Sequence, residues 1–269
     1  MRWSERQVAM LQEMGIRVWN TPSPGDAVAL AEPQPEIEPG TPRHAPAPAA
    51  PSPASVAEPA GVALRGPRAT GVDAMDWPAL RDAVAGCTAC KLCSGRTQTV
   101  FGVGNPQAHW MVVGEAPGEQ EDRQGEPFVG KSGQLLDSML RALGLTRGEA
   151  EPARQVFIAN TLKCRPPGNR NPEPDELAQC EPFLIRQIEL VKPRMILAMG
   201  RFAVQSLLRS NEPVGRLRGR VHQYQGVPLV VTYHPAYLLR NPEDKARAWD
   251  DLCLAVEQMK LAPTKPTAA

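Results

Sequence analysis

Four short apolar runs constrain the fold of this chain more than any other feature of its sequence. They are Trp110–Val113, Val156–Ala159, Met195–Met199 and Leu229–Thr232. Helical patterns lie around and between them, at Asp76–Ala85, Ser132–Leu143, Pro174–Leu190, Arg201–Arg209 and Glu243–Leu261. Fully apolar strands that alternate with helices are typical of a parallel sheet covered on both faces. The sequence therefore predicts an α/β fold with a central, mainly parallel, four-stranded sheet.

The region before these elements has a different composition. The chain has 29 prolines in 269 residues, which is about twice the usual share of about 5%, and many of them fall between Thr21 and Ala60. Such a stretch buries too little apolar surface to offset the entropy of ordering it. We predict a disordered Pro/Ala-rich linker over residues 20–75, a folded domain over 76–262 and a disordered tail over 263–269.

Residues 1–19 form an island of helical pattern ahead of the linker. Val8, Leu11 and Met14 fall on one helical face, and Gly15 is suited to end the helix. A helix this short is marginal alone. Two interpretations stay open, a helix that packs on its own domain and a peptide that docks on another protein.

Charge and hydropathy limit which partners and which cellular compartment are expected for the protein. The net charge of +1 excludes a protein that binds nucleic acid through an overall basic surface, but it allows a local basic groove. No apolar run reaches the roughly 18 residues of a membrane span, and the N-terminus lacks the apolar stretch of a signal peptide. We expect a cytoplasmic monomer that does not bind membranes.

Polar residues directly follow the predicted strands. The segment Gly114–Gly118 follows the first strand, Asn160 the second and His234 the last. In open α/β sheets, ligands bind beyond the carboxyl ends of the strands. These residues are therefore expected at one edge of the sheet, where a ligand site forms.

Five of the six cysteines have the spacing of metal ligands. Cys87, Cys90 and Cys93 form a C-x2-C-x2-C run, and Cys164 and Cys180 form a C-x15-C pair. Four thiolates suit zinc or an iron–sulfur cluster. Spacing alone does not choose between them, nor does it say which thiols of the first run are ligands. Cys253 stands alone in the last helix and is expected in the core.

Several segments together resemble one enzyme family. They are WMVVGEAPGEQED, GEPFVGKSGQLLD, ANTLKCRPPGNRNP and VTYHPAYLLR. In this order they are similar to family 4 uracil-DNA glycosylases, from about Cys87 to Leu261. The resemblance implies an α/β/α sandwich, a structural 4Fe–4S cluster, and base excision repair by hydrolysis of the N-glycosidic bond of uracil in DNA. The ligands it implies are Cys87, Cys90, Cys164 and Cys180, and Cys93 is not among them.

The chemistry of excision suits three residues of these segments. A glycosylase must take its base out of the stack and hold it, and Phe128 offers an aromatic face for the flipped ring. Asn160 can donate to a uracil carbonyl and accept from its ring N–H, an arrangement that rejects the cytosine edge. His234, as a neutral imidazole, can donate to uracil O2 where negative charge develops.

The resemblance also assigns the loop after the first strand. Gly114, Glu115 and Ala116 are expected against the uracil and the reacting sugar, with Glu115 as a catalytic candidate. Related glycosylases carry in this loop an Asp that orients the water, but here Ala116 stands at that position. Glu121 and Asn169 match positions that the family uses, and we take both as further catalytic candidates.

Contacts with DNA are predicted in the loops near the same edge. Lys131, Arg218 and Arg240 are expected to reach phosphates, and Leu238 with Leu239 to fill the vacated stack. An alternative function is a non-catalytic iron–sulfur DNA-binding protein on the same fold. A second alternative is a related glycosylase that traps the abasic sugar covalently, which is expected to carry GEQPG where this chain has GEAPG.

Overall fold

The computed structural model describes residues 69–261, together with Glu13 and Gly66. The predicted peptide 1–19, most of the linker 20–75 and the tail 263–269 lie outside the described residues. Contacts of the domain begin before its predicted start at Asp76. Val72–Ala74 forms a 3-10 turn, Val72 is buried in the core, and Arg186 Nε donates to the Met75 carbonyl at 2.6 Å.

A six-stranded sheet forms the centre of the domain. Its strands are β1 Val103–Gly104, β2 Trp110–Gly114, β3 Val156–Asn160, β4 Met195–Met199, β5 Val221–Tyr224 and β6 Val227–Thr232. Their order is β1-β3-β2-β4-β6-β5. The four inner strands are parallel, whereas β1 and β5 pair antiparallel at the two edges. The mainly parallel sheet is confirmed.

The predicted number of four strands is wrong, because both edge strands lack the signal that marks the inner ones. β1 is only two residues long. β5 reads VHQY, is only partly buried, and pairs with β6 across a tight turn at Gln225 and Gly226, both with positive φ. Apolar runs mark strands that are covered on both faces, and edge strands are not.

Eight α-helices surround the sheet within the described residues. They are α1 Trp77–Ala85, α2 Glu119–Gln124, α3 Lys131–Ala142, α4 Pro174–Val191, α5 Arg201–Leu208, α6 Val214–Leu217, α7 Pro235–Arg240 and α8 Lys245–Leu261. Further 3-10 turns lie at Lys91–Ser94, Pro167–Asn169 and Pro242–Asp244. The five predicted helices are confirmed with ends shifted by at most two residues. The short helices α2, α6 and α7 lie in segments interpreted as loops.

Successive side chains of the inner strands pack alternately into two hydrophobic cores, one on each face of the sheet. Met111 and Val113 of β2 point to the core that α1, α4 and α5 complete. Trp110 and Val112 point to the other core, which α3, α7 and α8 cover. The sheet is therefore the middle of a three-layer α/β/α sandwich, as predicted. No helix among residues 69–261 is long and apolar enough to cross a membrane.

The parallel register brings the strand ends together. Gly114 at the end of β2 lies opposite Asn160 at the end of β3. The pairing continues past both strands, because Thr161 N donates to the Gly114 carbonyl at 3.0 Å and Leu162 N to the Glu115 carbonyl at 3.1 Å. The loop after β2 is thereby fixed against the loop after β3 at the carboxyl edge of the sheet.

Candidate active site

A cavity of about 750 Å³ opens at the carboxyl edge of the sheet. This size is in the range of small-molecule sites. Its wall includes Arg240 and seven of the residues predicted for catalysis and uracil binding: Glu115, Ala116, Glu121, Phe128, Asn160, Asn169 and His234. Residues from five separate segments of the chain thus meet in one pocket, as the rule for strand ends predicts.

Phe128 is buried in the cavity wall and is held there by an unusual backbone. Its φ is 56°, a left-handed conformation that is uncommon for a bulky residue. Two glycines make room for it. A Cβ on Gly133 would lie 1.7 Å from the Phe128 carbonyl oxygen, and one on Gly114 would lie 2.6 Å from the ring. The strained loop therefore places a flat aromatic surface directly beside the end of β2.

Asn160 presents a buried amide to the same place. It is 2% exposed, and among the described residues its Oδ1 has no hydrogen-bond partner. A Cβ on Gly114 would lie 2.4 Å from this oxygen. Buried polar groups in proteins are nearly always paired, so an orphan acceptor requires an explanation. A bound ligand that donates a hydrogen bond to Oδ1 supplies one.

His234 lies beside the Phe128 ring, with the two ring centroids 5.3 Å apart. Its Nδ1 accepts a hydrogen bond from Ala236 N at 3.1 Å. Burial, together with the positive charge of Arg240, lowers the pKa of His234 to about 4, while Glu121 acts in the opposite direction. The imidazole is therefore neutral near pH 7, and since Nδ1 is an acceptor, Nε2 carries the proton and can donate it.

Glu115 is the residue of the cavity whose carboxyl group titrates near neutral pH. Burial raises the pKa of Glu115 to about 7, while Arg201 and Arg240 act to lower it. Its backbone carbonyl is fixed by the Thr161 hydroxyl at 2.5 Å. A carboxyl group with this pKa can accept or donate a proton at physiological pH.

The Glu121 carboxylate makes three hydrogen bonds with backbone N–H groups. One carboxylate oxygen accepts from Val129 N at 3.0 Å and Gly130 N at 3.1 Å, and the other from Gly118 N at 3.1 Å. The side chain thus connects α2 to the loop that carries Phe128. Glu121 therefore fixes that loop, while it also borders the cavity and stays a catalytic candidate.

Asn169 lines the same cavity and lies in the turn Pro167–Asn169. Its residue is exposed, its φ is 55°, and its Oδ1 accepts from Arg165 Nε at 2.8 Å. Because it lines the cavity, Asn169 stays a candidate for contact with the substrate or water.

Of the five side chains predicted to contact DNA, Leu238 is contradicted by its burial, and Arg218 is engaged in contacts within the protein. Leu238 is fully buried in the core beneath α7, whereas its neighbour Leu239 is 45% exposed. Arg218 pairs with Asp251 through Nε at 3.0 Å and also donates to the Arg247 carbonyl, so it fastens its loop to α8. Lys131 and Arg240 are exposed, as a phosphate contact requires.

Sequence reasoning missed several residues of the cavity wall, among them Arg170, Arg201 and Tyr237. A signal for Arg201 existed, because Gly200 and Arg201 directly follow β4 just as Asn160 ends β3. Arg170 was less accessible to prediction, since its place depends on a bidentate ion pair with the buried Glu176 at 2.5 and 2.9 Å.

The five cysteines of the two motifs line a second, small cavity. Arg96 Nη1 donates to Cys164 Sγ at 3.1 Å, and Lys163 N to Cys180 Sγ at 3.2 Å. Burial raises the pKa of Cys164 to about 11 and that of Cys180 to about 12. In residues 69–261, no group of three or more His, Cys, Asp or Glu side chains is arranged so that it could hold a metal ion as it stands.

The donor set nevertheless suits a cluster. Soft thiol ligands from two distant segments face one cavity, and cationic or N–H donors already lie against two of the sulfur atoms. Cys93 also lines this cavity, so the geometry does not separate it from the four predicted ligands. Cys253 lies apart on α8, packed against the other core, as expected.

Comparisons with known proteins agree with this geometry. Residues 101–253 match the model of the uracil DNA glycosylase superfamily. A type-4 uracil-DNA glycosylase of Pyrobaculum aerophilum is 41% identical over 67% of this chain and 93% of its own length. That of Sulfurisphaera tokodaii is 39% identical over 70% of this chain and 86% of its own, and that of Thermotoga maritima 42% over 60% and 82%. The chain belongs to the uracil-DNA glycosylase superfamily, and within it to the type-4 uracil-DNA glycosylases.

Proposed function

We propose that this protein hydrolyses the N-glycosidic bond of uracil in DNA and leaves an abasic site for base excision repair. The observation that carries the proposal is the buried Asn160 amide, whose Oδ1 has no partner among the described residues and lies beside the Phe128 ring. A flipped pyrimidine that stacks on Phe128 brings its ring N–H to this acceptor. Family membership supports the same reaction.

The amide also accounts for selectivity. Uracil presents a ring N–H next to a carbonyl oxygen, which match Oδ1 and Nδ2 of Asn160. Cytosine presents the opposite pair, an unprotonated ring nitrogen and an amino group. A buried mismatch of this kind discriminates by on the order of 10⁴, because polar groups are left unpaired.

His234 and Glu115 supply the electrostatics of bond cleavage. Negative charge develops on the leaving base as the glycosidic bond breaks. The neutral imidazole of His234 stabilises this charge by donating a hydrogen bond from Nε2. Glu115, with its pKa raised to about 7, is placed to accept the proton of the attacking water as the bond to the sugar breaks. Asn169 lines the same cavity, where it can hold that water.

The cysteine cavity is proposed to hold a 4Fe–4S cluster through Cys87, Cys90, Cys164 and Cys180. When bound, the cluster is a structural cross-link. It ties the segment before β1 to the loop after β3 and to α4, because Cys87 and Cys90 precede the sheet, Cys164 follows Asn160 and Cys180 lies on α4. The loop that carries the uracil-reading amide is thereby anchored on its far side.

DNA is proposed to lie across the mouth of the cavity. Arg240 borders the cavity, Lys131 is exposed at the start of α3, and both can pair with phosphates without reading sequence. Leu239, the exposed leucine of α7, is placed to enter the gap left by the flipped base.

The reaction is tested with purified protein and oligonucleotides that contain one uracil, in single-stranded and double-stranded form. Abasic sites are cleaved with alkali and the products separated by length, and matched oligonucleotides with thymine or cytosine serve as controls. We expect cleavage only at uracil, with Asn160→Leu inactive. Tight DNA binding without uracil release from either form would instead identify a non-catalytic DNA-binding protein.

A further inference from the structure

Lys163 is a buried lysine that the reaction described above does not use. It is 1% exposed. Its Nζ donates to the backbone carbonyl of Asn160 at 2.8 Å and to Gln187 Oε1 at 2.6 Å. Gln187 is itself fixed, because its Nε2 donates to the Phe101 carbonyl at 2.8 Å. The ammonium group therefore holds Asn160, whose side chain faces the proposed uracil pocket, against α4.

The same residue also borders the cysteine cavity. Its backbone N–H donates to Cys180 Sγ at 3.2 Å, and Cys164 is the next residue along the chain. A buried charge is costly unless an opposite charge or strong hydrogen bonds compensate it. The two acceptors of Nζ are neutral oxygens, so thiolates bound to a cluster in the neighbouring cysteine cavity would supply the negative charge that compensates the ammonium group.

We propose that Lys163 is a positioning residue that couples the two sites. It supplies a fixed positive charge beside the thiolate-bound cluster, and through the Asn160 carbonyl it sets the position of the amide that reads uracil. The proposal rests on the proposed function and on the proposed cluster. It predicts that charge at residue 163 controls cluster retention, while the placement of that charge controls uracil recognition.

Arg96 provides a matched control. It is the second cation beside the cysteines, with Nη1 at 3.1 Å from Cys164 Sγ. Its other contact is the Ala85 carbonyl at 3.0 Å, at the end of α1 and remote from Asn160. Arg96 therefore shares with Lys163 the electrostatic contact with a cysteine but not the contact with Asn160.

Three variants separate the two effects: Lys163→Gln, Lys163→Arg and Arg96→Gln. For each, iron retention during incubation with a chelator and the reduction potential are measured, together with KM and kcat on a single-stranded uracil oligonucleotide. Lys163→Gln should lose iron about tenfold faster, shift the potential to a more negative value and raise KM about tenfold, in line with other residues that support metal ligands. Arg96→Gln should shift retention and potential but keep the wild-type KM.

Lys163→Arg is the informative variant if Lys163→Gln does not fold. It keeps the charge, but a planar guanidinium cannot place one nitrogen between both oxygens as the ammonium does. The potential should stay near that of the wild type while KM rises. A wild-type KM in both Lys163 variants, or an equal rise of KM in Arg96→Gln, would overturn the coupling. A wild-type protein that releases no uracil would instead overturn the proposed function. Iron retention and the reduction potential would still test whether the charge of Lys163 acts on the cluster.

Discussion

Replacing Glu115 by Gln should stabilise the folded protein while it removes activity. An ordinary Glu carboxyl has a pKa of 4.5, and burial raises that of Glu115 to about 7. Between these values the folded protein holds a proton that the unfolded chain has lost, so stability falls as pH rises through this window. At about 1.4 kcal/mol for each pH unit, the loss approaches about 3 kcal/mol at pH 8. Partial exposure of Glu115 reduces it to about 2 kcal/mol.

The Gln variant cannot ionise and therefore escapes this loss. About 0.5 kcal/mol of the loss is already present at pH 5, so the free energy of unfolding of the variant in urea should exceed that of the wild type by about 1.5 kcal/mol more at pH 8 than at pH 5. His234 is present in both proteins, so its own titration cancels in the comparison. Glu119→Gln, which removes a carboxylate of α2 that pairs with Arg123 outside the cavity, is the matched control for the loss of one carboxylate. If Glu115→Gln changed the free energy of unfolding equally at pH 5 and pH 8, the raised pKa of the buried Glu115 carboxyl would be refuted.

Three further predictions test the pocket, the cluster and the DNA contact. Gly114→Ala places a Cβ 2.4 Å from the uracil-reading amide oxygen, so KM should rise steeply in steady-state kinetics while unfolding in urea reveals a loss of only about 1–3 kcal/mol. Cys164→Ala should abolish the visible absorption band of the cluster, whereas Cys93→Ala should keep it. Leu239→Ala should lower activity on double-stranded more than on single-stranded DNA, and Leu238→Ala should instead lower stability by about 2–5 kcal/mol.

The inner part of the fold could be predicted because each inner strand is covered on both faces. A run such as Met195–Met199 has no polar residue, and its end marks where ligand-binding residues begin. The same rule correctly placed Glu115, Asn160 and His234 at one cavity. The rule could not predict β1 and β5, because a two-residue strand and a partly exposed strand have no such apolar run.

Side-chain direction was harder to predict than residue position. Leu238 and Leu239 are adjacent in sequence and equal in chemistry, yet one is buried and the other exposed. The segment folds as the six-residue helix α7, too short for a periodic pattern to show which leucine faces the core. Arg218 is a similar case, because its partner Asp251 lies 33 residues away and no local pattern links the two.

The His-Pro-Ala sequence shows how local helix chemistry and catalysis depend on one hydrogen bond. His234 is the N-cap of α7, Pro235 occupies the first turn where no N–H is required, and Ala236 N donates to the His234 ring. Protonating Nδ1 would break this cap, which adds to burial in keeping the imidazole neutral. Since Nδ1 is thereby fixed as an acceptor, the proton stays on Nε2, the form that can donate to a leaving base. The helix that was missed in the sequence is therefore what makes the predicted histidine suited to its role.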